Sequence, residues 1–290
     1  MFCRITNSNS SNSPFVHSAV KPAYGTVLPG VDLAALPGKL IVIEGTDGAG
    51  RSTQIHLLKQ WLEQEGHAVT ESRMGRSKLA GKGLQRAKQG NTLGTITLSL
   101  FYATDFVDRL ENQIIPALEA GFVVLTDRYI YSLMARALAR GLDPAWLRNA
   151  FRFALQPDAV FYLRIELKDL IPRTVFSHGF DYWESGQDLY PGEDAYESFC
   201  RYQTALLGRF DRLSQEYGFD VIDASQDVPS IFAHLRSRIG RILDPSPRKP
   251  VASISGDRLN GTGKFHMAAA GGPALQDREV SILPELPVHP

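Results

Sequence analysis

Cysteine is scarce in this chain: its 290 residues include only Cys3 and Cys200. Two thiols build no disulfide framework, and such usage suits a reducing compartment, so a cytoplasmic location is expected. No apolar run approaches the roughly 20 residues that span a bilayer. The N-terminus lacks the continuous apolar core of a signal peptide. Charge of either sign is not in excess: 31 Lys and Arg balance 31 Asp and Glu. Nothing in that balance points to bulk binding of nucleic acid or of a membrane. Internal repeats are also missing. What is present is an ordinary globular composition, 43% hydrophobic and 21% charged, with length for one large domain or two small ones.

Residues 1–37 open on Thr6-Asn7-Ser8-Asn9-Ser10-Ser11-Asn12-Ser13-Pro14, carry four prolines and show no sustained periodicity. From about Pro245 the chain again turns rich in Pro, Gly and Ala. Both ends read as flexible tails, 1–37 and 244–290, around a domain at 38–243. Gly261-Thr262-Gly263-Lys264 imitates a phosphate loop, but Phe265 stands where Ser or Thr is needed and no strand precedes it. Between the tails, short apolar runs alternate with helical patterns. Strands are predicted at Lys39–Glu44, Ala68–Ser72, Phe122–Asp127, Ala159–Ile165 and Asp220–Ala224. Helices are predicted at Ser52–Glu65, Thr95–Glu119, Ser132–Arg140, Pro144–Ala154, Leu167–Phe176, Ala195–Tyr217 and Pro229–Leu243. That alternation predicts an α/β fold with a parallel sheet covered on both faces. Ligands of such sheets sit beyond the carboxyl ends of the strands.

Gly45-Thr46-Asp47-Gly48-Ala49-Gly50-Arg51-Ser52-Thr53 lies at that edge, between the first strand and first helix. It matches G-x-x-x-x-G-K-[ST] at every fixed position but one, where Arg51 replaces lysine. Gly45, Gly48 and Gly50 allow a tight loop whose N–H groups turn toward a phosphate, and the helix N-terminus adds positive potential. The Ser52 hydroxyl is placed to ligate magnesium, and Thr53 to cap the helix and touch a phosphate. Guanidinium is broader than an ammonium, so Arg51 reads either as a working substitute or as a source of weakened catalysis. Asp47 faces an acceptor or a metal ion, or merely forms the Asp-Gly turn.

A second buried strand ends in Asp127-Arg128-Tyr129 at the same edge. Asp127 is a candidate for holding a magnesium ion and Arg128 for gripping an acceptor phosphate. Their alternative is an ion pair that caps the next helix. Tyr102, Phe106 and Tyr129 are candidates for stacking on a pyrimidine, or core filler. Arg73, Arg76, Lys78, Lys82, Arg86 and Lys88 form a phosphate funnel or a solvated helix face. Trp183 covers an adenine or packs a lid shut.

Across its central 200 or so residues the chain resembles the thymidylate kinases, among the P-loop nucleoside monophosphate kinases. The resemblance rests on Leu40 to Gln54, on Phe101-Tyr102-Ala103 with Ile115-Pro116-Ala117-Leu118, on Asp127-Arg128-Tyr129 with Ser132 and Ala135, on Arg173, and on Val221-Ile222-Asp223-Ala224. It implies a P-loop NTPase fold with a five-stranded parallel sheet and a short lid. It also implies magnesium- and ATP-dependent phosphorylation of dTMP to dTDP, and a homodimer. Arg51, Asp47, Arg128 and Arg173 would then be catalytic, and residues 45–53 would bind ATP. Asp47, Arg73, Tyr102, Asp105, Arg109, Arg128 and Tyr129 would bind the acceptor, and Ser52 and Asp127 the metal.

The departures are specific. Ser72-Arg73-Met74-Gly75 keeps an arginine after the second strand but not the family's following glutamate. The arginine that helps read thymine is expected near Asp105 or Phe106 and neither is arginine, leaving Arg109 one turn on as a substitute. The lid reads Asp181-Tyr182-Trp183-Glu184, without the family's arginine at the second of these positions. Three readings follow: a dTMP kinase, a kinase of the same fold acting on another nucleotide or a nucleoside, and a nucleotide-binding protein that no longer catalyses.

Overall fold

A computed structural model describes residues 21–177 and 179–244 of the chain. The tail-borne Gly261–Lys264 sequence, residues 1–20 and residues 245–290 lie outside them. Five strands form one parallel sheet in the order β2-β3-β1-β4-β5. These are β1 (Lys39–Glu44), β2 (Val69–Arg73), β3 (Val123–Asp127), β4 (Ala159–Arg164) and β5 (Asp220–Asp223). The predicted strands are all present, with ends shifted by one residue or so.

Alternation along β1 divides the core. Leu40 and Val42 face α3 (Thr95–Arg109), α5 (Ile130–Ala139) and α8 (Ala195–Tyr217). Ile41 and Ile43 face α1 (Arg51–Gln64), α7 (Leu167–Ser177) and α9 (Val228–Leu243). Side chains of successive strand residues point to opposite faces, so a strand buried on both sides must be apolar throughout. Leu40-Ile41-Val42-Ile43 meets that requirement, and all four are fully buried. In register, Ile43 of β1 lies beside Asp127 of β3, which brings the ends of both strands to one edge.

The predicted long helix is continuous through three parts: α3, one π turn at Leu110–Ile114, and α4 (Ile115–Glu119). Pro116 accounts for the change of winding, since it lacks an N–H to continue the regular ladder. One further helix, α2 (Gly81–Gln89), has no counterpart in the predicted elements. Gly81 and Gly83 depress its intrinsic propensity, and its start is held by Ser77 Oγ, which accepts from the N–H groups of Ala80 (2.8 Å) and Gly81 (3.1 Å). Lys82 and Arg86 on α2 are exposed, as a solvated face requires. The short α6 (Pro144–Ala150) is capped by Asp143 and ends before the predicted Ala154.

The ordered domain begins before residue 38. Residues 21–36 form a strap rather than part of a loose tail: Ala23 bridges Leu155, and the Gln156 N–H donates to Pro22 O at 2.8 Å. Lys21 pairs with Asp158, whose carboxylate also accepts the Leu40 N–H at the start of β1 (2.8 Å). Tyr24 bonds through its hydroxyl to Tyr131 of α5 and packs edge-on against Tyr217 of α8.

Candidate active site

The loop between β1 and α1 turns on residues whose backbone only glycine adopts easily. Gly45 has φ +146°, and a Cβ there would lie 2.8 Å from Leu163 O of β4. Gly50, at φ +93°, precedes the first turn of α1 without a side-chain cap. The first α-helical bond of α1 is Gln54 N–H to Gly50 O at 3.2 Å. The N–H groups of residues 50–53 therefore have no helical acceptor, and the helix dipole reinforces them as an anion cradle. Gly48, Gly50, Ser52 and Thr53 are exposed at its mouth, and Ala49 is buried beneath.

Arg51 folds inward. Its Nε donates to Asp127 Oδ1 at 2.8 Å, one terminal nitrogen to Gly45 O at 2.7 Å and also to Thr46 O, and the other to Asp47 Oδ1 at 3.3 Å. The guanidinium thus bolts both ends of the loop to β3. Burial disfavours its charge, but Asp127 and Asp47 more than compensate and raise its pKa. An ammonium, with no planar fork, would not match this set of acceptors.

Asp47 is the centre of charge. Its carboxylate pairs with Arg128, with Arg136 of α5 (3.2 Å) and with Arg51 (3.3 Å). Burial alone would raise its pKa; the guanidiniums of Arg128, Arg136 and Arg51 outweigh burial and hold it well below the usual carboxylate range. Arg128 sits at φ +70°, uncommon for a residue with a side chain, and its N–H donates to Ile43 O at 3.1 Å. That turn aims its side chain back over the loop. Burial and the neighbouring Arg51 depress the Arg128 pKa.

Asp127 is similarly surrounded. Ser52 Oγ donates to its Oδ2 at 3.3 Å, and Arg73, 46% exposed at its side chain, approaches the same oxygen at 3.3 Å. Burial is overcome by Arg51 and Arg128, so Asp127 stays ionised. Below it, Glu44 is fully buried and accepts from the Tyr129 N–H (2.8 Å), the Ser132 N–H (3.2 Å) and the Ser132 hydroxyl. Burial raises its pKa despite these bonds.

A largely apolar cavity adjoins this cluster, lined by Leu98 and Tyr102 of α3, Leu133 and Arg136 of α5, Arg140 just after it, and Trp183 among others. Its free volume is about 20 Å³, room for about one water. Trp183 closes it: the indole is buried and donates to Lys88 O at 2.9 Å. So Trp183 belongs to the cavity beside α3 and α5. The segment bearing it is fastened to α5 by Arg140, which donates to Asp188 (2.8 and 3.1 Å) and to Trp183 O (2.8 Å), and by the Arg136–Glu184 ion pair. Arg173 of α7 flanks the loop, where a Cβ on Gly48 would lie 3.8 Å from its own Cβ. Arg173 has no hydrogen-bond or ion-pair partner among the described residues.

The structure therefore gathers Asp47, Arg51, Ser52, Arg73, Asp127 and Arg128 at one edge, with Arg173 beside them and Tyr102 on the cavity wall. Three expected acceptor residues are elsewhere. Tyr129 is fully buried in the core, donating its hydroxyl to Leu155 O at 3.0 Å and meeting Phe106 edge-on at 5.0 Å. Asp105, also fully buried, accepts the N–H groups of Gly75 and Ser77 at 2.9 Å and pairs with Arg109 at 3.0 Å. Arg109 reaches on to Ser72 Oγ at 3.0 Å, so the two clasp the 72–77 turn and do not line the cavity. Phe106 stacks on Phe153 within the core. The residues missed by sequence reasoning are Arg136, Arg140 and Glu184. A signal existed for the arginines: both fall one turn apart on an otherwise apolar helix that follows Asp127-Arg128-Tyr129.

For a metal ion, the hydroxyl of Ser52 and the carboxylate of Asp127 form an all-oxygen donor pair beside the loop mouth, as a hard divalent cation prefers. Among the described residues no group of three or more His, Cys, Asp or Glu is gathered for a metal, so such an ion would take its remaining ligands from phosphates and water. No helix among the described residues is long and apolar enough to cross a membrane.

The sequence pattern described as thymidylate kinase matches residues 43–188. A probable thymidylate kinase 2 of Saccharolobus solfataricus is 34% identical over 211 residues, covering 72% of this chain and 99% of the relative. A probable thymidylate kinase of Thermococcus kodakarensis is 40% identical over 142 residues, 46% of this chain and 69% of the relative. A thymidylate kinase of Bifidobacterium longum is 30% identical over 212 residues, 70% and 97%. With its phosphate loop, five-stranded parallel sheet and near-complete coverage of the Saccharolobus relative, this chain belongs to the thymidylate kinase family.

Proposed function

We propose that the protein is a nucleoside monophosphate kinase that transfers the γ-phosphoryl group of ATP to dTMP, giving dTDP and ADP. The observation that carries this reading is the placement of Asp47 with Arg128 and Arg136: the cluster joins the phosphate loop to the small, largely apolar cavity beside Tyr102 and Trp183. A donor triphosphate in the loop and an acceptor monophosphate over Arg128 would meet there. The relatives carry the same activity in their names.

The attacking group is a phosphate oxygen, already anionic at neutral pH, so no strong general base is needed. The protein's work is positioning and charge neutralisation. The amides of residues 45–53 would cradle the donor phosphates. Arg51 holds the loop and Asp127 in place, Arg73 and Arg128 would grip the acceptor phosphate, and Tyr102 would face the base. Arg173, beside Gly48 and without a partner among the described residues, would neutralise charge on the transferring group. Trp183 and its segment exclude water, which suppresses ATP hydrolysis. Magnesium held by Ser52 and Asp127 would neutralise charge on the donor phosphates.

An ADP-release assay across dTMP, dUMP, dCMP, UMP and thymidine tests the reading, with dTMP expected to give the highest kcat/KM. A better acceptor than dTMP would favour a second reading, a kinase of the same fold for another acceptor. The absence of an arginine at Asp105 or Phe106, near which the family's base-reading arginine is expected, motivates that alternative. We further propose a homodimer in the cytoplasm. Ile96 and Leu100 on α3, with Leu79 nearby in sequence, are exposed large apolar residues that a second copy would cover. Sedimentation of the full chain reads the mass directly.

A further inference from the structure

Every buried guanidinium of the cluster is already paired with a carboxylate: Arg51 with Asp127 and Asp47, Arg128 with Asp47, and Arg136 with Asp47 and Glu184. A phosphate dianion entering such a cluster competes with these carboxylates for the guanidiniums, because like charges are costly to bury together. Asp47 is held by three guanidiniums within the phosphate loop. Asp127 ends β3, a strand paired on both sides. Glu184 is different. It lies in a stretch without helix or strand, makes one ion pair among the described residues, to Arg136, abuts the Asp47 carboxylate, and leaves its second oxygen, Oε2, buried without a hydrogen-bond donor. Its main chain is fixed, since Gln203 donates to Glu184 O at 2.8 Å and Ser198 donates to Ser185 O at 2.7 Å. The carboxylate can therefore leave by side-chain rotation while the segment stays attached.

Arg136 is placed to receive what replaces it. One terminal nitrogen reaches Asp47 in the phosphate loop, the other holds Glu184, its Nε is buried without a partner, and its side chain forms part of the cavity wall beside Tyr102. We propose that Glu184 is a carboxylate gate on the acceptor site: it holds Arg136 until the 5′-phosphate of the acceptor binds by taking its place. The inference rests on the reading above that the acceptor is a nucleoside monophosphate. It adds Arg136 to the phosphate-binding set and makes the phosphate a condition of entry. A nucleoside without that group has nothing to exchange for the Glu184 carboxylate, and the cavity behind Trp183 stays too small for it.

Calorimetric titration of the full chain tests this with dTMP, dUMP, dCMP and UMP and with the matching nucleosides. Glu184→Gln should tighten the best-binding monophosphate about tenfold, since a neutral amide competes poorly for a guanidinium. The matching nucleoside should gain less. Arg136→Gln should weaken that monophosphate by about 10²-fold while MgATP affinity, which also reports intact folding, stays within about twofold. In the wild type, inorganic phosphate at tens of millimolar should tighten nucleoside binding severalfold by supplying the missing anion; this arm decides the matter should Glu184→Gln fail to fold. Equal or weaker monophosphate binding by Glu184→Gln, unchanged binding by Arg136→Gln, or indifference of nucleoside binding to phosphate each overturns the gate. If a monophosphate other than dTMP binds best, the dTMP assignment fails, and the gate is judged on that nucleotide. Failure of every monophosphate to bind the wild type ends both proposals.

Discussion

The two halves of the proposed site would solve the same problem, holding phosphate, by opposite means. On the proposed donor side the groups on offer are backbone amides at the tip of β1 and the start of α1, and the mouth is exposed. Its buried cation, Arg51, is spent on the loop's own carbonyls and on Asp127. On the proposed acceptor side the groups are side chains just beyond β3 and on α5, buried and mutually neutralised, and Trp183 covers the cavity. A backbone cradle needs no reorganisation to accept an anion, whereas a neutralised side-chain cluster must exchange one ion pair for another. Donor affinity should thus depend on loop shape, and acceptor affinity on which charges can be displaced.

Arg128→Ala should break that contrast most sharply. It removes the guanidinium that both partners Asp47 and faces the acceptor, so kcat/KM for the acceptor should fall by about 10²- to 10³-fold. The Kd for MgATP should change little, and equal losses on both sides would mean that the halves are not separate. A second contrast sits within α3. Phe106→Ala should cost about 3–5 kcal/mol of stability, since a fully buried ring is lost from the core. Tyr102→Ala, at the cavity wall, should instead raise the acceptor KM with a smaller fall in Tm; chemical denaturation and steady-state kinetics on both variants check this. The smallest effect is on pH dependence. Asp47 and Asp127 have depressed pKa values in the folded state, so their contribution is complete above the unfolded carboxylate value and is lost as pH falls through the folded values. Tm should decline on acidification below about pH 4, and Asp47→Asn should decline less steeply over that range.

The donor half was legible because its chemistry is contiguous. The glycines, Arg51 and Ser52 sit within nine residues between one strand and one helix, and the loop's geometry follows from their order. Asp127 and Arg128 could be placed because they end a second buried strand on the same sheet. The acceptor half draws on α3, α5, α8 and the 181–188 segment, and nothing in linear spacing says which face of each helix turns inward. Hence Tyr102 and Tyr129 read alike in sequence, although one lines the cavity and the other is core. Asp105 and Arg109 read as base-recognising groups because helical spacing puts them on one face; the turn at Gly75 and Ser77 claims them first. Glu184 became significant only through a partner 48 residues away.

The strap at residues 21–36 sets a practical boundary. A fragment trimmed to begin at Gly38, just ahead of the family pattern, would take Lys21 from Asp158, leaving that carboxylate to Lys39 and the Leu40 N–H, and would take from the Tyr131 hydroxyl on α5 its Tyr24 partner. Loss of activity in such a shortened protein would then report a weakened foundation under the α5 helix, and would be mistaken for a defect in chemistry.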